Sequence, residues 1–177
     1  MASTAVAGKG REQPGTSIWS RKRDLCYLVF FVIHVPVMFS IDLAALYPPS
    51  LTPTFLTTLR TYYHTTYKDQ FFSPTGPPTA WFSAFLWMEA LYHVPLSLWA
   101  VGALYNGQHP LLPVHLLIYA VQTAITTLTC IAEYLSWTHL SVSEKIDLGY
   151  LYVPYLALSV FMGVDMFGRL QDRLMPV

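Results

Sequence analysis

The stretch from Asp24 to Leu46 reads DLCYLVFFVIHVPVMFSIDLAAL, an apolar run interrupted only by His34, Pro36 and Asp42. A helix crossing ~30 Å of hydrocarbon needs about 20 mostly apolar residues, and this run meets that length. It is too long for a signal-peptide core, lacks a small-residue cleavage site and carries an acid within it, so it reads as a retained span. Three further stretches meet the same requirement: Thr79 to Leu104, Leu111 to Trp137 and Leu148 to Arg169. The expected fold is all-α, an integral membrane four-helix bundle. Pro36, Pro95 and Pro154 fall inside spans one, two and four, where each removes a backbone hydrogen bond and predicts a kink.

Composition leads to the same class. Apolar residues make up 54% of the 177, aromatic residues 15% and charged residues only 11%, against roughly a quarter charged in a soluble domain. Ten basic and ten acidic side chains cancel, which excludes the high net charge of a disordered chain and the basic footprint of a nucleic-acid binder. Cys26 and Cys130 are too few for a disulfide framework and read as buried thiols. No CxxC, HExxH, GxGxxG or P-loop pattern occurs, so neither a metal nor a cofactor is expected.

The polar segments give the organisation. Residues 1–20 are rich in Gly, Ser, Thr and Ala and read as a disordered tail, residues 21–170 as one membrane domain, and 171–177 as a second tail. Arg21, Lys22 and Arg23 precede span one, and Arg169 and Arg173 close span four. Loops one and three hold only Arg60, Lys68 and Lys145. The positive-inside rule then places both termini in the cytoplasm. Pro48, Pro49 and Pro53 end span one, and Phe55, Leu59 and Tyr62 follow at helical spacing, which predicts a short amphipathic helix on the lumenal surface. Lys68-Asp69 and Ser73-Pro74-Thr75-Gly76-Pro77-Pro78 read as turns leading to Trp81, and Asn106-Gly107-Gln108-His109-Pro110 as a tight cytoplasmic turn.

Four acids lie inside the spans: Asp42, Glu89, Glu133 and Asp165. An ionised carboxylate at mid-depth costs ~2.5 to 3.5 kcal/mol on insertion scales, so each needs a partner or a function. Asp165 has Arg169 four residues on, and Glu133 lies about one turn from a span end. Asp42 and Glu89 have no such explanation. Counted along their helices, Glu89 sits ~15 Å and Asp42 ~9 Å below the same surface, a difference of about one helical turn. The two acids are therefore expected to share a cavity, with one protonated and hydrogen-bonded to the other. His93 follows Glu89 by four residues on one face, and His34 is offset from Asp42 by only ~80°. Gln122 and Thr126 pair on span three, Tyr152 and Tyr155 on span four, and Tyr119 adds an aromatic wall.

The runs His34-Val35-Pro36-Val37-Met38-Phe39-Ser40-Ile41-Asp42-Leu43, Pro78-Thr79-Ala80-Trp81-Phe82, Glu89-Ala90-Leu91-Tyr92-His93-Val94-Pro95, Ile118-Tyr119-Ala120-Val121-Gln122-Thr123 and Tyr152-Val153-Pro154-Tyr155 resemble the sigma-2 receptor (transmembrane protein 97) family. That family belongs to the EXPERA group with the sterol Δ8-Δ7 isomerase. The resemblance spans about Arg21 to Phe167. It implies an endoplasmic-reticulum receptor, a homodimer, with a ligand cavity opening sideways to lipid. It also implies binding of sterols, oxysterols or amphiphilic amines in cholesterol homeostasis, with a sterol-transport protein as a possible partner. By the same resemblance Asp42 takes a ligand's amine, Glu89 hydrogen-bonds Asp42, and Tyr155 and Thr126 line the pocket.

An isomerase-like enzyme is the alternative. The isomerase carries His-x-x-x-Glu on its second helix and a further glutamate on its third, whereas this chain has Glu89-x-x-x-His93 and Gln122. The reversal favours a binding protein over an enzyme.

Overall fold

The computed structural model describes residues 17–48, 50, 52–73, 78–107 and 109–175. Most of the expected N-terminal tail, Pro49, Leu51, the turn at 74–77, Gln108 and the last two residues lie outside them. Among the described residues the regular structure is entirely helical. Helix α1 covers Lys22–Ser40 and is followed by a 3-10 segment over Asp42–Leu46. Helix α2 is Thr54–Tyr67. Helix α3, Ala80–Met88, passes through a π-turn at Glu89–His93 into α4, Val94–Asn106, without a break. Helices α5, Leu112–Ser136, and α6, Val142–Leu174, complete the chain.

Three helical stretches are long and apolar enough to cross a membrane: Lys22–Leu46, Leu112–Ser136 and Val142–Leu174. In their most apolar windows only 28%, 33% and 22% of residues are buried. Val32, Ile33, Ile125, Leu128, Val153 and Val164 point their side chains outward. Water would not tolerate so much contiguous apolar surface, and hydrocarbon does. The protein is a multi-pass membrane protein.

Helix α6 is longer than the apolar run Leu148 to Arg169, because a capping box starts it early. The Ser141 hydroxyl accepts the Glu144 N–H at 3.4 Å while Glu144 accepts the Ser141 N–H at 2.8 Å, satisfying two orphan donors of the first turn. At its other end the helix runs on to Leu174, through residues read from sequence as tail. On α2 the inward face is set by Leu56, Tyr63 and Tyr67, while Phe55 and Tyr62 are exposed. The face read from Phe55 and Tyr62 therefore points outward. Cys130 is buried but Cys26 is exposed on α1, because α1 turns that position away from its neighbours.

Packing falls into two layers. Near the basic end, Tyr27, Phe31, Leu104, Leu116, Met162 and Met166 form a closed core. At the other end Phe71, Phe72, Phe82, Leu86, Tyr134 and Leu148 form a second, more aromatic one. Helix α1 packs chiefly on α4, and α5 chiefly on α6.

The basic end is closed by an ion network. Arg169 bridges Asp24 at 2.6 Å and Asp165 at 2.7 Å, Arg21 pairs with Asp24 at 2.7 Å, and Arg23 pairs with Asp165. The Tyr27 hydroxyl donates to Asp165 at 3.0 Å. Asp165 thus has the Arg169 partner that its spacing indicates, and a second cation from α1. Two carboxylates shared among three guanidiniums leave neither acid uncompensated and the cluster with one net positive charge.

Arg21 also donates to the carbonyls of Leu104 and Tyr105 at 2.8 and 3.0 Å, capping the end of α4. The next residue, Gly107, has φ 73° and ψ 160°, a conformation close to glycine-only. A Cβ there would sit 2.9 Å from the Arg21 Cζ. Gly107→Ala is expected to destabilise the protein by about 1 to 3 kcal/mol, read as a lower melting temperature of the purified protein in detergent.

Candidate ligand chamber

A cavity of about 330 Å³ borders the aromatic core, with Phe72, Phe82, Leu86 and Cys130 in its wall. Asp42 and Glu89 both line it, as do His34, His93, Thr126, Tyr152 and Tyr155. Its remaining wall is mostly apolar, with Val37, Ile41, Phe82, Phe85, Leu86 and Met88 among its residues beside Tyr63, Thr123 and Thr127, and neither Lys nor Arg is among the described residues around it.

Local backbone chemistry explains how two of these side chains arrive. Pro95 has no N–H, so the Leu91 carbonyl cannot be satisfied in the ordinary helical way. The chain widens into a π-turn just before it, with the Val94 N–H reaching the Glu89 carbonyl. Such turns are rare and frequently mark functional positions. Here the turn begins at Glu89 and ends at His93, and both line the chamber. Asp42 stands at the first position of the 3-10 segment, where α1 has just ended at Ser40.

The polar side chains form two linked sets. His34 Nε2 lies 2.9 Å from the Tyr155 hydroxyl, which lies 3.3 Å from the Tyr119 hydroxyl. With that His34 nitrogen unprotonated, Tyr155 donates to it and Tyr119 donates to Tyr155. Phe30 stacks on the His34 ring at 5.0 Å and fixes its plane. His93 Nε2 meets the Gln122 amide oxygen at 3.3 Å; an amide oxygen only accepts, so His93 donates there. Tyr119 and Gln122 are not among the lining residues; each stands behind one that is. Among the described residues no hydrogen bond joins the carboxyls of Asp42 and Glu89, although both face the same cavity. Glu133, the remaining acid read inside a span, is exposed on α5.

The family model described as EXPERA (EXPanded EBP superfamily) matches residues 55–166. The chain belongs to the EXPERA family. Among curated relatives, it is 31% identical over 148 residues to efficient mitochondria targeting-associated protein 19 of Schizosaccharomyces pombe, covering 83% of this chain and 76% of that one. It is 26% identical to sigma intracellular receptor 2 of Xenopus tropicalis over 85% of this chain and 91% of the relative. The human sigma intracellular receptor 2 is also 26% identical, over 78% of this chain and 83% of its own length.

One acid of this EXPERA chain was not legible as a site residue. Asp69, beside Lys68 in what reads as a turn, is completely buried. One carboxylate oxygen accepts the Phe71 N–H at 3.0 Å; the other accepts the hydroxyls of Tyr152 at 2.7 Å and Tyr63 at 3.2 Å. Tyr63 and Tyr152 both line the chamber, so Asp69 fixes two wall residues from α2 and α6 together. Arg60 ties α2 to the same loop by donating to the carbonyls of Phe72 and Ser73 at 3.2 and 2.8 Å, and burial lowers its pKa. Lys68, at φ 54°, ends α2 and pairs with Glu144 of α6. The only sequence signal for Asp69 is its place between an aromatic-rich helix and Phe71-Phe72.

Burial raises the Asp69 pKa above the ordinary carboxyl value of 3.8, and the hydrogen bonds from Tyr152, Phe71 and Tyr63 pull it partly back. The folded state therefore holds the proton more tightly than the unfolded one. The stabilisation from this group is fully present below about pH 4 and is lost as pH rises through the folded pKa. Asp69→Asn, which keeps an acceptor for the tyrosines, is expected to flatten this part of the melting-temperature profile above pH 4. Asp69→Ala is expected to cost about 1 to 3 kcal/mol, as it leaves buried donors unpaired.

Proposed function

We propose that this chain is a four-span endoplasmic-reticulum membrane protein that binds sterols or amphiphilic amines in the chamber at Asp42 and Glu89. The reading rests on one observation: two carboxyls face a mostly apolar cavity whose described lining offers no Lys or Arg. Such a pair is incomplete without a ligand cation or hydroxyl, and low dielectric strengthens whatever interaction completes it. A rigid polycyclic hydrocarbon with one polar end, or an amphiphilic amine that is protonated at neutral pH, supplies both the apolar fit and the missing partner. Fatty acids and other anionic amphiphiles would add a further negative charge beside the acid pair and are disfavoured.

The continuous helix from Ala80 to Asn106 serves as the fourth span. The five basic residues Arg21, Lys22, Arg23, Arg169 and Arg173 put that end and both termini on the cytoplasmic side, which makes α2 a lumenal surface helix. Relatives named as an intracellular receptor favour a receptor role. Sterol homeostasis, a homodimer and contact with a sterol-transport protein complete the proposal. In this scheme Asp42 receives the ligand amine, Glu89 supports it from across the cavity, and Tyr155 with Thr126, His34, His93 and Tyr152 shapes the remaining wall. Gln122 and Tyr119 hold His93 and Tyr155 in place.

Asp42→Asn is expected to weaken binding of a radiolabelled amphiphilic amine by about 30-fold or more, the effect of removing one member of a buried charge pair. Unchanged affinity would refute the assignment. A second reading has its own observation, since His34 and His93 face the same chamber as the two acids and could serve as bases opposite a carboxylic acid. On that reading the protein is a sterol Δ8-Δ7 isomerase-like enzyme. Rescue of an isomerase-deficient yeast strain would establish it; failure to rescue, with amine binding retained, is the expected result.

A further inference from the structure

A second cavity, a cleft of about 290 Å³ at the basic end, shares no residue with the chamber. Phe161, Asp165, Gly168 and Asp172 all line it, at the alternating four- and three-residue spacing that places side chains on one face of a helix. Arg23 of α1 and Arg169 and Val164 of α6 complete it.

Its lower wall belongs to the hydrocarbon: Phe161 and Val164 are 50% and 69% exposed. At Gly168 an added Cβ would meet nothing within 4 Å, so the missing side chain leaves an open notch between Asp165 and Asp172. The upper part carries two groups that the ion network leaves under-used. Asp165 is satisfied by Arg23, Arg169 and Tyr27, and Arg169 is divided between Asp24 and Asp165. Arg23, however, has a side chain 65% exposed and uses a single Nη on Asp165, although a guanidinium offers five donors. Asp172 is exposed, and among the described residues no hydrogen bond or ion pair engages it.

We propose that this cleft binds one ethanolamine phospholipid, with its phosphate on Arg23, its primary ammonium on Asp172, the two-carbon linker passing Gly168 and an acyl chain running along Val164 and Phe161. Asp172 lies two turns beyond Asp165, ~10.5 Å along the axis, and Arg23 stands at the Asp165 level. Phosphate, two-carbon linker and ammonium bridge that gap with a charge-assisted hydrogen bond at each end. Choline lipids carry no N–H to donate to Asp172. Phosphatidylglycerol has no cation for it and faces the repulsion of Asp165 and Asp172. The open position at Gly168 gives the linker its room.

The test is native mass spectrometry of the full chain, equilibrated in nanodiscs containing equal parts ethanolamine, choline and glycerol phospholipids of one acyl composition. The wild type is expected to retain one ethanolamine lipid in preference to the others. Asp172→Asn should lower that retention about two- to fivefold, the worth of one exposed ion pair, and erase the preference over choline. Arg23→Gln should lower retention of every phospholipid, and Gly168→Leu should block the cleft. Asp172 is exposed and Gly168 has open space around it, so the Asp172 and Gly168 variants should melt as the wild type does and bind the labelled amine in the chamber unchanged. Water-soluble glycerophosphoethanolamine should not displace the lipid. Equal retention of ethanolamine and choline lipids by the wild type, unchanged retention in Asp172→Asn, or displacement by the soluble headgroup would overturn the proposal.

Discussion

Taking a carboxylate out of water without a partner is the costliest thing this chain does, and the arrangement of its helices follows from how each buried acid is satisfied. Asp24 and Asp165 are met by guanidiniums, and because Arg21, Arg23 and Arg169 come from both ends of the sequence, that pairing draws α1 and α6 together. Asp69 is met by two tyrosine hydroxyls and a backbone N–H, which draws α2 and its loop onto α6. Among the described residues Asp42 and Glu89 are met by neither device, and they are the acids that face the larger, mostly apolar chamber.

The packing around them shows why the cavity persists. The aromatic core supplies part of its wall through Phe72, Phe82 and Leu86, the other core stays outside its lining, and each is rich in aromatic or branched side chains that cannot slide into the gap without leaving voids of their own. Where helix geometry would ordinarily fill the space, the backbone departs from the α conformation instead: the π-turn at Glu89–His93 and the 3-10 segment at Asp42–Leu46. Both departures fall on residues that line the chamber. The helices are thus regular where they only pack and irregular where they carry polar groups inward, a division the membrane permits because irregular backbone is tolerated there only against protein or a cavity.

Much of this was legible in residue order. The apolar runs read from Thr79 to Leu104 and from Leu111 to Trp137 end within two residues of the helices at Asn106 and Ser136, since length and apolarity are local properties. Depth counting set Asp42 and Glu89 at comparable levels, and both line one cavity. Other features were not legible. Asp69 beside Lys68 reads as a solvated turn because nothing nearby in sequence reveals that Tyr63, six residues earlier, and Tyr152, eighty-three later, converge on it. Cys26 was misplaced for a related reason: in a bilayer, apolar residues face outward as readily as inward, so periodicity alone does not say which side is buried.

The sequence by itself determined that the chain is helical and membrane-embedded, with its cations kept to the helix ends and to α2 and its loops. Those are matters of run length and transfer cost, and they need no knowledge of neighbours. Only the tertiary structure decided which acids are neutralised, which tyrosines answer Asp69, and which helix face borders a cavity or lipid. Those outcomes depend on distances between residues far apart in the chain, and no local pattern encodes them.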